Sequence, residues 1–276
     1  MGFGAQTKKE DSTAPTSDRT LAELYTPATE LEAAHGLKIA IWGKAKVGKS
    51  HFCLTPPGKI FVIDTESAIK TNIKSFPDDV KERVFVADVL KFSGLNESGD
   101  IDYGQMLGVL EDAITKILGA VKTDGEHNIT VVVDSASDLW DWLGIWLSEE
   151  APGVSHIGKD KDKVNRLEWG KANKRYARAM LKLIMSGCNI ICTYKAKDAV
   201  GSDGSDLGFA KPRWQKNSKH LFDLVGVMEK SGDKRVLKFT GSDNGGRYGD
   251  KIPDLENPTW PKLLEHLEKN CGATFD

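Results

Sequence analysis

The chain has 276 residues, enough to bury the core of one α/β domain of roughly 250 residues and too few for two full domains. A formal net charge of -2 excludes a uniformly basic nucleic-acid binder, so any contact with DNA or RNA has to come from local clusters of charge. The four cysteines, Cys53, Cys188, Cys192 and Cys271, form no CxxC pair and no zinc spacing, and neither a signal peptide nor an apolar run of about 18 residues is present, so a soluble cytoplasmic protein with reduced thiols is expected.

Residues 1–20 are rich in Ser, Thr, Lys, Asp and Pro without apolar periodicity. Little offsets the entropy of ordering them, and a mobile tail is expected there, followed by one domain over residues 21–276. After a short segment, Leu37-Lys38-Ile39-Ala40-Ile41-Trp42 predicts a buried strand entering a Gly-rich loop. Pro56 and Pro57 keep the helix after that loop short. Apolar runs at residues 60–63, 84–86, 129–133 and 189–193 predict further strands, with helices between them at about 103–121, 136–148 and 164–185. This alternation predicts an α/β fold with a mostly parallel sheet flanked by helices. Residues 195–219 lack regular periodicity and read as a long functional loop. Residues 221–229 and 235–240 predict a C-terminal β-hairpin turning at Ser231-Gly232-Asp233, and residues 260–269 a closing helix.

Gly43-Lys44-Ala45-Lys46-Val47-Gly48-Lys49-Ser50 fits GxxxxGK[ST] in full, between a predicted strand and a predicted helix. The glycines let backbone N–H groups turn toward phosphates, Lys49 reaches the β and γ phosphates as a point charge, and Ser50 places its hydroxyl on Mg²⁺. His51, next in the chain, completes the nucleotide-binding set, and ATP with Mg²⁺ is the expected ligand. No NKxD follows to read guanine, which argues against a GTPase, and a small-molecule kinase would leave a long basic loop without a use. Asp134 ends an apolar strand and suits the Mg²⁺ shell, directly or through water; the competing role is a cap on the helix that starts near Ala136. A second apolar strand ends in Asp64-Thr65-Glu66, where Glu66 is the expected acceptor for the attacking water and Asp64 the alternative; either can also be a solvated loop acid.

Together, the P-loop, Ile63-Asp64-Thr65-Glu66 and Val132-Val133-Asp134-Ser135 resemble the RecA family, in which a P-loop is followed by strands ending in IDxE and VVDS. The resemblance spans roughly residues 37–195 and implies a RecA-like P-loop NTPase core, with Glu66 as catalytic base and Asp134 on Mg²⁺. More narrowly, the chain is similar to short RecA-like ATPases of bacteriophages, including the phage single-strand annealing and recombination proteins. That likeness rests on Glu168-Trp169-Gly170-Lys171-Ala172-Asn173, Gly187-Cys188-Asn189-Ile190-Ile191-Cys192-Thr193 and Phe222-Asp223-Leu224-Val225. It implies a DNA-stimulated ATPase that binds single-stranded DNA, assembles as a homo-oligomeric ring or short filament, and works in the host cytoplasm if phage-encoded. A nucleotide-gated loading module with slow turnover and a hexameric helicase-like motor are the alternatives. The chain departs from bacterial RecA in lacking a long C-terminal domain and an evident N-terminal polymerisation helix. It also has Thr193-Tyr194-Lys195 where RecA proteins place a γ-phosphate-sensing Gln, leaving Thr193 as the nearest candidate.

Residues 159–182 hold nine basic side chains against three acidic ones. Lys171, Lys174, Arg175, Arg178 and Lys182 fall at helical spacings on one face, which can track a phosphate backbone or simply be solvated. The 195–219 segment adds Phe209, Lys211, Arg213, Trp214, Lys216 and Lys219. The resemblance implies that this loop contacts single-stranded DNA, with aromatic stacking worth roughly 1 to 3 kcal/mol per base. Trp214 is the preferred stacking residue, against the alternative of a Trp packed on the domain surface. Lys238 and Arg247 are candidates for a cation supplied across a subunit interface, or ordinary hairpin cations.

Overall fold

Runs such as Ile129–Asp134 lack polar alternation because their strands are covered on both faces, and this sets the architecture. The computed structural model describes residues 36–124, 128–149, 151, 153–154, 164–201, 203–239, 246 and 252–272, with backbone alone for 122–124. The expected tail over residues 1–20 lies outside the described residues.

In chain order the elements are β1 (Lys38–Gly43), α1 (Lys49–Cys53), β2 (Lys59–Asp64), α2 (Ile69–Asn72), α3 (Asp78–Glu82), β3 (Val84–Asp88), α4 (Tyr103–Asp124), β4 (Ile129–Asp134), α5 (Ala136–Glu149), α6 (Trp169–Ile184), β5 (Asn189–Val200), β6 (Asp206–Pro212), β7 (Leu224–Ser231), β8 (Lys234–Lys238), β9 (Leu255–Glu256) and α7 (Trp260–Cys271). The sheet runs β3, β2, β4, β5, β1, β7, β8, β9. It is parallel from β3 to β7, with β8 and β9 antiparallel at the far edge. This is the expected mostly parallel α/β core with a C-terminal hairpin. No described helix is long and apolar enough to cross a membrane.

Strand alternation sorts the core into two layers. Val131, Val133, Ile190, Cys192 and Tyr194 face α4, α5 and α6, which cover them with Leu110, Leu143 and Met180. Val132, Ile191, Ile39 and Ile41 face α1 and α7, meeting Phe52, Trp260 and Leu263. Each fully buried aliphatic side chain contributes about 1.5 to 3 kcal/mol of transfer free energy.

The expected loop over residues 195–219 is corrected by the structure. Strand β5 continues to Val200, turns through Gly201 and Gly204, and returns as β6, with Ala196 opposite Pro212 and Lys197 opposite Lys211. Most of its outer residues are exposed, Ala199 excepted, so little apolar alternation marks it, and the backbone ladder holds it. The expected helix over 164–185 begins later, at Trp169.

Side chains of neighbouring segments clip the start of β1 into the middle of the sheet. Leu37 N–H donates to Asn189 Oδ1 at 2.8 Å, and Lys38 N–H donates to Asp223 Oδ2 at 3.0 Å. Both bonds are buried, so losing the acceptor strands an N–H group. Asn189→Ala is therefore expected to cost about 1 to 3 kcal/mol, read as a fall of several degrees in thermal denaturation. An unchanged melting temperature would refute this account of the register.

Candidate functional site

The loop between β1 and α1 starts at Gly43, where a Cβ would stand 2.4 Å from the Met228 carbonyl oxygen of β7, so only glycine lets the chain turn this close to the neighbouring strand. From there the backbone folds around a cleft of about 800 Å³. All of Gly43 to His51 line it except Val47, which is buried in the core. Glu66 and Asp134 line the same cleft, so the structure brings together the acids and the loop that the sequence nominated separately.

Lys49 Nζ donates to the carbonyls of Gly43 at 3.0 Å and Lys44 at 2.8 Å. Burial lowers its pKa, and the charges of Asp134 and Glu66 partly offset that effect. Asp134 is 4% exposed and accepts hydrogen bonds from the hydroxyls of Ser50 and Thr193. Its carboxylate is thus engaged across the cleft and does not cap α5. The Asp134–Ser135 peptide is cis. At the start of α5, Ser135 Oγ instead donates to Asp138 Oδ2 at 3.1 Å.

The two acids after β2 take different roles. Asp64 is 1% exposed, and its carboxylate accepts the backbone N–H groups of Glu66 at 3.1 Å, Ala68 at 3.3 Å and Ile69 at 2.9 Å. It shapes the loop, which directs the Glu66 side chain into the cleft. Thr65 is sewn in as well, its hydroxyl donating to Asp138 Oδ2 at 2.8 Å while accepting Ser135 N–H at 2.8 Å.

Thr193 is fully buried on Asp134, so it stands behind the acid and does not reach a γ phosphate. Two residues on along β5, Lys195 enters the cleft, its Nζ 2.7 Å from Glu66 Oε1 and 2.6 Å from Asp138 Oδ1. Burial opposes its charge, but the hydrogen bonds and charges of Asp138 and Glu66 outweigh it and raise its pKa. Sequence reasoning missed Lys195 as a site residue, although period-two alternation from Thr193 points to it. It also missed Asp138 and Arg235; the latter reaches the cleft from β8, and nothing local in the sequence marks it.

The basic residues of α6 border a groove of about 640 Å³ with Glu111 and Trp146. Several are already committed. Arg175 is bidentate on Glu111 at 2.6 and 3.1 Å and lies 4.7 Å over the Trp146 ring, and Lys171 pairs with Glu168 at 2.8 Å. Lys174 and Arg178 are exposed. Beyond this helix, Lys211 sits on β6, Arg213 pairs with Asp141 at 3.0 Å, and Lys216 is exposed. Trp214 is half-buried, its ring edge-on to Tyr194 at 5.3 Å, the kind of packing named as the alternative to a stacking role. The exposed aromatic of the β5–β6 hairpin is Phe209. Lys238 pairs with Glu229 at 2.7 Å, and Arg247 lies outside the described residues, as do Lys159, Lys161 and Lys163.

Burial raises the Asp134 pKa above its ordinary 3.8 against the opposing hydrogen bonds, so the ionised group costs the fold stability at any pH above the raised value. Asp134→Asn keeps an acceptor for Thr193 and removes that charge. It is expected to raise the melting temperature at neutral pH, with the gain shrinking as the pH falls toward 3.8, while abolishing hydrolysis. A pH series of thermal denaturation checks the sign.

A family model described as an AAA domain matches residues 35–246, a span that takes in the P-loop, both acidic strand ends and the β5–β6 hairpin. No curated protein matches the chain. On the strength of that match and of the sheet order around the cleft, the chain belongs to this AAA domain family and carries a P-loop ATPase domain.

Proposed function

We propose that the chain is a RecA-like ATPase of phage type that binds single-stranded DNA and promotes annealing or recombination. The observation that carries this reading is the convergence of Lys49, Ser50, Glu66 and Asp134 on one cleft. Its floor includes Lys195 of β5, the strand that runs on into the exposed hairpin. In this reading Glu66 accepts a proton from a water attacking the γ phosphorus in line, and Lys49 neutralises charge on the β and γ oxygens. Ser50 and Asp134, one hydroxyl and one carboxylate in contact, are hard oxygen donors that suit Mg²⁺ bound also to phosphate and water. That ion supplies further charge neutralisation when bound.

DNA engagement is assigned to the exposed cations Lys174, Arg178 and Lys216, and to Lys211 and Phe209 of the hairpin, whose Val200 and Leu207 are exposed as well. Assembly as a head-to-tail ring or short filament would align these surfaces. A second reading, a nucleotide-gated loading module with slow turnover, is favoured by the Lys195–Glu66 pair. That contact engages Oε1 of Glu66, so movement of Lys195 along β5 would change how the remaining oxygen holds water.

Hydrolysis measured with and without single-stranded oligonucleotide tests both. Marked stimulation is expected, and Glu66→Gln is expected to slow turnover by about 100-fold or more while ATP binding is kept. Equal rates with and without DNA would favour the second reading, and no hydrolysis by the unaltered chain would refute the first. In anisotropy titrations of a labelled oligonucleotide across salt concentrations, Lys174→Ala and Lys216→Ala are each expected to lower the logarithmic salt slope by about one. Affinity indifferent to salt would exclude this assignment.

A further inference from the structure

Arg235 reaches the phosphate loop from the opposite end of the chain. Alternation along β8 puts it on the same face as Leu237, which is fully buried in the layer that holds Val47 and Phe52. Lys238 falls on the other face, where it pairs with Glu229 at 2.7 Å. The Arg235 side chain lies across the loop itself. A Cβ added at Gly48, whose φ is +107°, would stand 2.4 Å from Arg235 Cδ and 2.5 Å from Nε.

The backbone beneath this side chain is fixed from the far side. Arg235 N–H donates to Asn257 Oδ1 at 3.1 Å, and the Arg235 carbonyl accepts Asn257 N–H at 2.6 Å. The adjacent Lys234 pairs with Glu256 at 2.6 Å. Arg235 is therefore carried by a clamped strand, in the wall of the cleft that holds Lys49, Ser50 and Asp134. The other deep cations of that cleft are engaged, Lys49 by loop carbonyls and Lys195 by Glu66 and Asp138. Among the described residues, Arg235 forms no ion pair with a carboxylate. Its charge is felt at His51, whose protonation is disfavoured first by burial and then by this guanidinium.

The geometry points to Arg235 as a phosphate-binding residue supplied in cis, whose guanidinium pairs with the phosphate chain of a nucleoside triphosphate seated on the Gly43–Ser50 loop. The inference rests on the nucleotide reading above and deepens it. A planar fork of donors suits two phosphate oxygens better than a lysine does, and the strand holds it in place before any ligand arrives. The contact is then made within one copy of the chain, a role separate from the transition-state cation for which Lys238 and Arg247 are candidates.

The test is a fluorescence titration of the full chain with N-methylanthraniloyl-ATP in Mg²⁺, at a low and a high protein concentration. Arg235→Ala and Arg235→Gln are expected to weaken binding by about tenfold or more at both concentrations, the loss typical of a hydrogen-bonded charge. Arg235→Lys recovers part of the affinity, and Lys230→Ala, an exposed site on β7, leaves it unchanged. Circular dichroism melting of each variant, expected to match the unaltered chain, separates lost contact from lost fold. Unchanged affinity in Arg235→Ala and Arg235→Gln overturns the inference, as does a loss confined to the high protein concentration, which would place the contact between copies. Failure of the unaltered chain to bind the probe overturns the nucleotide reading along with it.

Discussion

A buried carboxylate is costly unless hydrogen bonds meet it, and Asp134 is the point at which this fold accepts that cost. Its partners come from two other elements, Ser50 at the start of α1 and Thr193 on β5, while its own carbonyl accepts Thr65 N–H at 2.9 Å beyond the end of β2. The register has to serve all of these at once. Asp64 stands opposite Asp134 and Val133 opposite Cys192, so Thr193 arrives beside the acid only if β4 and β5 pair as they do. The crevice beyond the carboxyl ends of parallel strands is where an open α/β sheet presents its ligand site, and here β1, β2 and β4 end at it while β5 passes it at Lys195 and runs on to Val200.

Much of this was legible in the sequence wherever chemistry and pattern coincide locally. The P-loop, the short helix after it, the double-covered strands and the two acidic strand ends were all readable, because each is written in consecutive residues. The choice between Asp64 and Glu66 was not readable. Both end the same strand, and only the three backbone N–H groups gathered by Asp64 separate a loop-shaping acid from a cleft-lining one. Arg235 was invisible for a different reason, since 187 positions separate it from Gly48 and only the sheet order brings β8 around to the loop.

Charge counting misled in a specific way. The basic run on α6 reads as one uniform face, yet Arg175 is consumed by Glu111 and Trp146, and Lys171 by Glu168. The Arg175 contacts tie α6 to α4 and α5, and the Lys171 pair is local to the start of α6, so part of the positive charge belongs to packing. The aromatic expectation shifted in the same sense. Trp214 packs against Tyr194, whereas Phe209, midway along a strand that composition disguised as loop, is left 56% exposed.

The outward extension of β5 has a mechanical side. From Lys195 to Val200 the strand runs roughly 17 Å at about 3.3 Å per residue, while Lys195 sits only 2.7 Å from Glu66. Pairing with β1 clamps the strand as far as Lys195, so a load on the hairpin tip would reach Glu66 only as a small, directed tilt.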